Sequence, residues 1–264
     1  MLQFTIPLAL ALAYLGTAAR RLKMHRKPDA ASMAVSLVIL AAHAIWLGVA
    51  LEPDETRISI AQTLALVGIT TAILAVAMSS HPSSRILAGL LLALAGITTG
   101  MAAFGNQQPD ITESSGWPLI AHILFSVISY TLLGIATFFA VLMAWKDRQV
   151  RNGKISGFAM RLPPLQALDG DLFAAIGAGF VTLSLAIFSG LIYIDNIREQ
   201  HLTHKTVLTF LAWVVFGLLL FGRWRFGWRG QTAVRWTMAG FVLLGLAYFG
   251  SRIILEVFLG RQWG

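Results

Sequence analysis

Long apolar runs separated by short polar clusters dominate this 264-residue chain. Crossing about 30 Å of hydrocarbon takes roughly 20 apolar residues. Eight stretches meet that need, at about 3–19, 30–51, 58–79, 85–104, 118–145, 171–193, 205–222 and 236–257. Hydrophobic residues make up 57% of the chain and charged residues 12%, too little polar surface to cover so many apolar helices in water. The pattern therefore predicts an all-α fold: a polytopic membrane helix bundle of about eight transmembrane helices. The longest connector runs from Lys146 to Gly170 and leaves no room for a sizeable soluble domain. A polar stretch at 106–117, with Pro109 and the run Ser114-Ser115-Gly116, separates four N-terminal spans (1–105) from four C-terminal ones (118–264). The similar segments Gly68-Ile69-Thr70-Thr71 and Gly96-Ile97-Thr98-Thr99 fall in spans of opposite direction and are not taken as a repeat.

The net charge of +8 changes meaning once it is placed on this pattern. Arg20, Arg21, Lys23, Arg26 and Lys27 follow span one, and Lys146, Arg148, Arg151, Lys154 and Arg161 follow span five. Arg223, Arg225, Arg229 and Arg235 separate spans seven and eight. All these loops lie on one side, whereas Glu52, Asp54, Glu55, Asp110, Glu113, Asp195 and Glu199 lie on the other. By the positive-inside rule, both termini are expected outside the cytoplasm. The basic balance is topology, and nucleic acid is excluded as a partner. No positive charge precedes the first apolar run, so it is expected to be a retained helix and not a cleaved signal. The aromatics Trp224, Phe226 and Trp228 among the arginines of the last basic loop fit ordinary anchors at a bilayer boundary. Arg252 and Glu256 fit a rim pair at i,i+4. Without cysteine the chain offers neither disulfide nor thiol.

The candidate chemistry lies with histidine. His25 and His81 fall in basic-side loops and are expected to be solvated, whereas the other four fall in the outer half. At 1.5 Å per residue His43 lies about 12 Å and His122 about 7 Å below the outer rim. His204 opens span seven, with His201 one turn before it. From His122 the polar positions Ser126, Ser129 and Tyr130 follow at offsets of four, seven and eight, one face of a helix. Such a stripe is either polar packing between helices or the lining of a site. Axial ligation of haem needs neutral imidazoles from separate elements, an apolar slot and cations near the propionates. His122 and His204 meet the first demand, with Arg198 and Lys205 near the second histidine. Zinc or copper fits less well, because cysteines are absent and buried carboxylates few. His43 is a weaker candidate, and packing against a neighbouring helix is the competing role for every one of these residues.

The run Trp117-Pro118-Leu119-Ile120-Ala121-His122, continuing through Ser126 to Tyr130, resembles the histidine-bearing helix of the cytochrome c assembly family, the group of CcsA-, CcmC- and HemX-like proteins. The stretch from Gly177 to Gly190, an outer loop, and His204-Lys205-Thr206-Val207-Leu208-Thr209-Phe210-Leu211-Ala212-Trp213 resemble its next section. Gly222-Arg223-Trp224-Arg225-Phe226-Gly227-Trp228-Arg229-Gly230 is similar to the short cytoplasmic turn that follows there. The resemblance covers about residues 117–257.

It implies a multi-pass protein of the bacterial inner (plasma) membrane that handles haem b for cytochrome c assembly. His122 and His204 match the family's outer histidines and would be the axial ligands of the haem iron. Apocytochrome c and other assembly proteins are the implied partners besides the lipid bilayer. The outer loop, Tyr193-Ile194-Asp195-Asn196-Ile197-Arg198-Glu199, lacks the family's tryptophans, and the last span lacks a histidine. This points to a reduced member without an inner haem site. No catalytic dyad or triad is evident. The alternatives are a transporter or transport accessory, and a HemX-like regulator of haem synthesis acting through a partner.

Overall fold

In a computed structural model, residues 2–23, 30–50, 59–79, 84–105, 117–153, 157–193 and 203–247 are described. Among them the ordered elements are helices: α1 (Leu2–Lys23), α2 (Ala30–Ala50), α3 (Ile60–Met78), α4 (Arg85–Ala102), α5 (Trp117–Arg151), the single turn α6 (Phe158–Arg161), α7 (Leu165–Tyr193), α8 (Thr203–Phe226) and α9 (Gln231–Gly245). Six of them, α2 to α5, α7 and α8, are long and apolar enough to cross a membrane. The remaining two expected spans coincide with α1, whose last turn carries Arg20, Arg21 and Lys23, and with α9, of 15 residues. The result is a polytopic membrane helix bundle.

Its surface is that of a protein solvated by lipid. Leu12, Val38, Ile45, Val49 and Phe188 are each about two-thirds exposed or more, a cost in water that disappears in hydrocarbon. Interior positions are smaller: Ala65, Ala72, Ala75, Ala88, Ala95, Ala136 and Ala140 are fully buried. Small residues bring backbones close, and close packing is what drives helix association where lipid cancels the hydrophobic effect. A Cβ added to Gly96 would stand 3.1 Å from the Ala11 carbonyl, so α1 lies directly on α4 there.

α1 packs on α4, α4 on α3, and α3 also meets α5; α5 and α7 share the most extensive contact, while α9 joins α5 and α8. One buried cluster runs from Tyr14 and Leu91 through Leu133 and Phe139 to Phe216 and Leu244, across both halves of the chain. Ser59 and Gln62 form a reciprocal cap at the start of α3, and Gln62 Nε2 donates to the Ala50 carbonyl at the end of α2.

The connector after span five is far more ordered than its polar sequence indicates. α5 runs for 35 residues, to Arg151, and α7 starts at Leu165. From within α5 the buried Lys146 ammonium donates to the carbonyls of Leu162 (2.7 Å) and Pro163 (2.5 Å) in the intervening stretch. Those carbonyls belong to a stretch whose prolines prevent helical bonding, and a cation is a strong donor to them. On the same basic end, Arg21 binds Ser36 Oγ at 2.8 Å and also Ser79 Oγ, tying α1 to α2 and to the end of α3. Ser84 Oγ donates to Asp171 Oδ2 at 2.7 Å, tying the start of α4 to α7.

Candidate functional site

α5 and α7 run antiparallel, and near the N-terminal end of α5 they part to leave a cavity of about 520 Å3 that α8 closes. From α5 come His122, Ser126 and Tyr130. α7 supplies Leu183, Ala186, Ile187, Gly190 and Leu191, and α8 supplies Thr206, Val207, Thr209, Phe210 and Leu211. The polar stripe of α5 therefore divides. At 3.6 residues per turn, offsets of four and eight rotate one way from His122 and an offset of seven rotates the other. Ser126 and Tyr130 line the cavity, whereas Ser129 is fully buried outside it, with no hydrogen-bond partner for its Oγ among the described residues.

His122 Nδ1 lies 2.7 Å from the Ala186 carbonyl oxygen. A carbonyl can only accept, so Nδ1 carries the hydrogen and, in the neutral ring, Nε2 carries the lone pair. A metal-ligating histidine is oriented in the same way by an outer hydrogen bond to backbone. The Ala186 carbonyl also accepts from Ser189 Oγ at 3.0 Å. Gly190, one turn further along α7, makes room for the imidazole: a Cβ there would lie 2.9 Å from His122 Cε1 and 3.0 Å from Nδ1.

Behind the cavity, α7 and α8 are joined by aromatic packing. Phe210, which lines it, stacks on Trp213 at 5.5 Å between centroids, and Trp213 stacks on Phe180 at 5.4 Å. Trp213 Nε1 donates to Ser184 Oγ at 2.8 Å, so the indole has its polar atom satisfied.

The remaining sequence candidates fall as follows. His204 occupies the second position of α8, one and two turns before the lining residues Val207 and Leu211; its side chain lies outside the described residues, as does that of Lys205. Arg198, His201, Arg252 and Glu256 also lie outside them. His43 is not part of the lining. It is fully buried on α2, with Nδ1 3.2 Å from the Tyr14 hydroxyl and its ring 5.9 Å from that of Trp46. Its Nε2 has no partner among the described residues. Thus α5, α7 and α8 converge on His122, while His43 belongs to the contact of α1 with α2. Gly190, the Ala186 carbonyl and the threonines of α8 are not evident as site residues from sequence; Gly190 is marked there only as the end of the Gly177–Gly190 stretch that carries the family resemblance.

The sequence profile of the family described as "Cytochrome C assembly protein" matches residues 6–259. The chain belongs to that family. The match extends through the N-terminal spans, well beyond the 117–257 segment that carries the motifs. The chain is 33% identical over 226 residues to the inner membrane protein YpjD of Escherichia coli (strain K12), covering 84% of this chain and 85% of that protein. It is 27% identical over 146 residues to the cytochrome c biogenesis protein CcsA of Chlamydomonas reinhardtii, covering 54% of this chain and 39% of that one. With the protein HemX of Brevibacillus brevis the identity is 24% over 134 residues, half of this chain and 49% of HemX. No solved structure gives a significant match. The apolar helices and the likeness to the inner membrane protein YpjD make this a multi-pass protein of the bacterial inner membrane.

Proposed function

We propose that this family member serves cytochrome c assembly by holding haem b in the cavity between α5, α7 and α8, near the outer face of the membrane. His122 would hold the haem iron through one imidazole nitrogen, and His204 would supply the second. The observation that carries this reading is the His122 ring in an apolar cavity with Nδ1–H committed to the Ala186 carbonyl. That arrangement leaves Nε2 as the basic nitrogen. The residues present fit the group. The volume is in the range of small-ligand sites, the walls are aliphatic and aromatic, and the few polar groups come from separate helices.

Bound haem would supply an iron that accepts the imidazole lone pair and cycles between two oxidation states. The chain's own residues do the rest. Ala186 and Gly190 set the plane of His122, the apolar walls exclude water, and α8 carries His204 to the rim. Arg198 in the outer loop would pair a propionate. The basic loops on the opposite end support an outer-side position for His122 by the positive-inside rule, the side where a protein delivering haem to apocytochrome c would need it.

Purified protein made with ample haem should show a Soret band with reducible bis-imidazole features. His122→Ala and His204→Ala should each remove or alter it. A haem-free wild type, or a spectrum unchanged in both variants, would end this assignment.

A further inference from the structure

At the opposite end of α5, 25 residues or about 37 Å from His122, lies a second and polar cavity of about 420 Å3. Its charged lining is Asp147, Arg151, Asp169, Arg223 and Arg229, with Gly230 and Gln231 of the α8–α9 turn beside them. The two aspartates are occupied. Asp147 Oδ2 accepts from Arg151 at 3.1 Å and from Gln231 at 2.7 Å. Asp169 Oδ2 pairs with Arg223 at 2.6 Å, and its Oδ1 accepts the Gly230 N–H at 3.1 Å. Two carboxylates thus neutralise two of three guanidiniums. Arg229, exposed at the mouth, has no acidic partner among the described residues.

The turn that carries Arg229 is fixed in shape. Gly227 and Gly230 have φ of 67° and 62°, left-handed values that only glycine adopts at no cost, so the turn has one shape. Arg223 is held on three sides: by Asp169, by the Trp228 carbonyl at 3.2 Å and by the Phe173 ring at 4.4 Å. α9 begins at this cavity, and the Asp169 carboxylate that accepts the Gly230 N–H is occupied at that helix start and by Arg223, so it does not reach across to neutralise Arg229. Beside it Trp224 and Phe226 are 81% and 65% exposed, the signature of aromatic side chains at headgroup depth.

We infer that this cavity binds a phosphate group, with Arg229 as the recognising cation. Guanidinium offers a planar pair of donors matched to phosphate oxygens, and the Arg223–Asp169 and Arg151–Asp147 pairs fix the walls without consuming Arg229. Either a phospholipid of the adjacent leaflet or a free phosphate compound could bring that group. The site is independent of haem.

The test uses the full-length protein in detergent, with thermal unfolding and native mass spectrometry as readouts. The probes are phosphatidylglycerol, phosphatidylcholine and inorganic phosphate. Phosphatidylglycerol retained on the wild type and raising its midpoint, without displacement by inorganic phosphate, identifies the lipid as the source. Protection by inorganic phosphate that displaces lipid identifies a soluble source. In either case Arg229→Gln should weaken binding about tenfold, the loss of one charge-assisted contact, while leaving the Soret band intact. Arg225→Gln, an exposed arginine outside the lining, should bind as the wild type does. Failure of every probe to bind, wild-type affinity in Arg229→Gln, or an equal loss in Arg225→Gln would each overturn the assignment.

Discussion

Two histidines of the same bundle, both set within apolar helices, end in opposite situations. His43 is the more deeply buried, yet its ring packs against Tyr14 and Trp46 and is not part of the lining of the cavity between α5, α7 and α8. His122 is half-buried, but one nitrogen is anchored on a carbonyl and the ring stands in a cavity wall. Depth in the membrane therefore does not mark a ligand. What recommends His122 as the proposed ligand is a fixed tautomer beside a cavity. A hydroxyl partner such as Tyr14 can donate or accept and leaves the tautomer of His43 open, whereas the carbonyl of Ala186 decides that of His122.

The sharpest break between the two comes from removing each in turn. His122→Gly should abolish the Soret band, and added imidazole should restore it, because a small exogenous ligand can occupy the vacated space. His43→Phe should keep the band at wild-type intensity. Loss of the band in His43→Phe with retained folding would reverse the comparison. Next in size is Gly190. A side chain there meets the His122 ring at about 3 Å, below ordinary contact distance. Gly190→Val should displace the ring and weaken haem binding about tenfold or more, as strain in a packed site of 1–3 kcal/mol would require. Gly177→Val, at a position open to lipid, should leave binding unchanged. Haem titration of the two variants separates them.

The bundle itself was legible because its cause is one-dimensional: apolar run length against bilayer thickness, and the side on which arginine and lysine accumulate. The candidate site was legible only where chemistry is rare. An imidazole inside an apolar span draws notice on its own, and the family motif around it named His204 as its counterpart. The rest depends on rotation about helix axes. Ser129 and Ser126 read alike in sequence, yet only Ser126 reaches the cavity. His43 looked like a companion of His122 on depth alone, and packing sends it to a different helix contact. The connector reads as a loop because Lys146 falls among the basic residues that follow span five; the structure buries its ammonium on two carbonyls and continues α5 beyond it.

The smaller effects test the hydrogen bonds that distinguish the two rings. Tyr14→Phe removes the partner of His43 and should lower stability by about 1 kcal/mol, seen as a lower unfolding midpoint in detergent, with haem affinity untouched. A loss of haem instead would tie His43 to the site. Ser189→Ala acts on the other ring through a shared acceptor. The Ala186 carbonyl takes hydrogen bonds from both Ser189 Oγ and His122 Nδ1, so deleting the hydroxyl leaves more of its electron density to His122. A stronger bond at Nδ1–H makes the ring a better donor at Nε2. That favours ferric over ferrous iron and should lower the reduction potential of bound haem slightly, a shift that spectroelectrochemical titration resolves. Tyr14→Phe should leave that potential where it is. An unchanged potential in Ser189→Ala would mean that Ala186 orients the ring of His122 without tuning it.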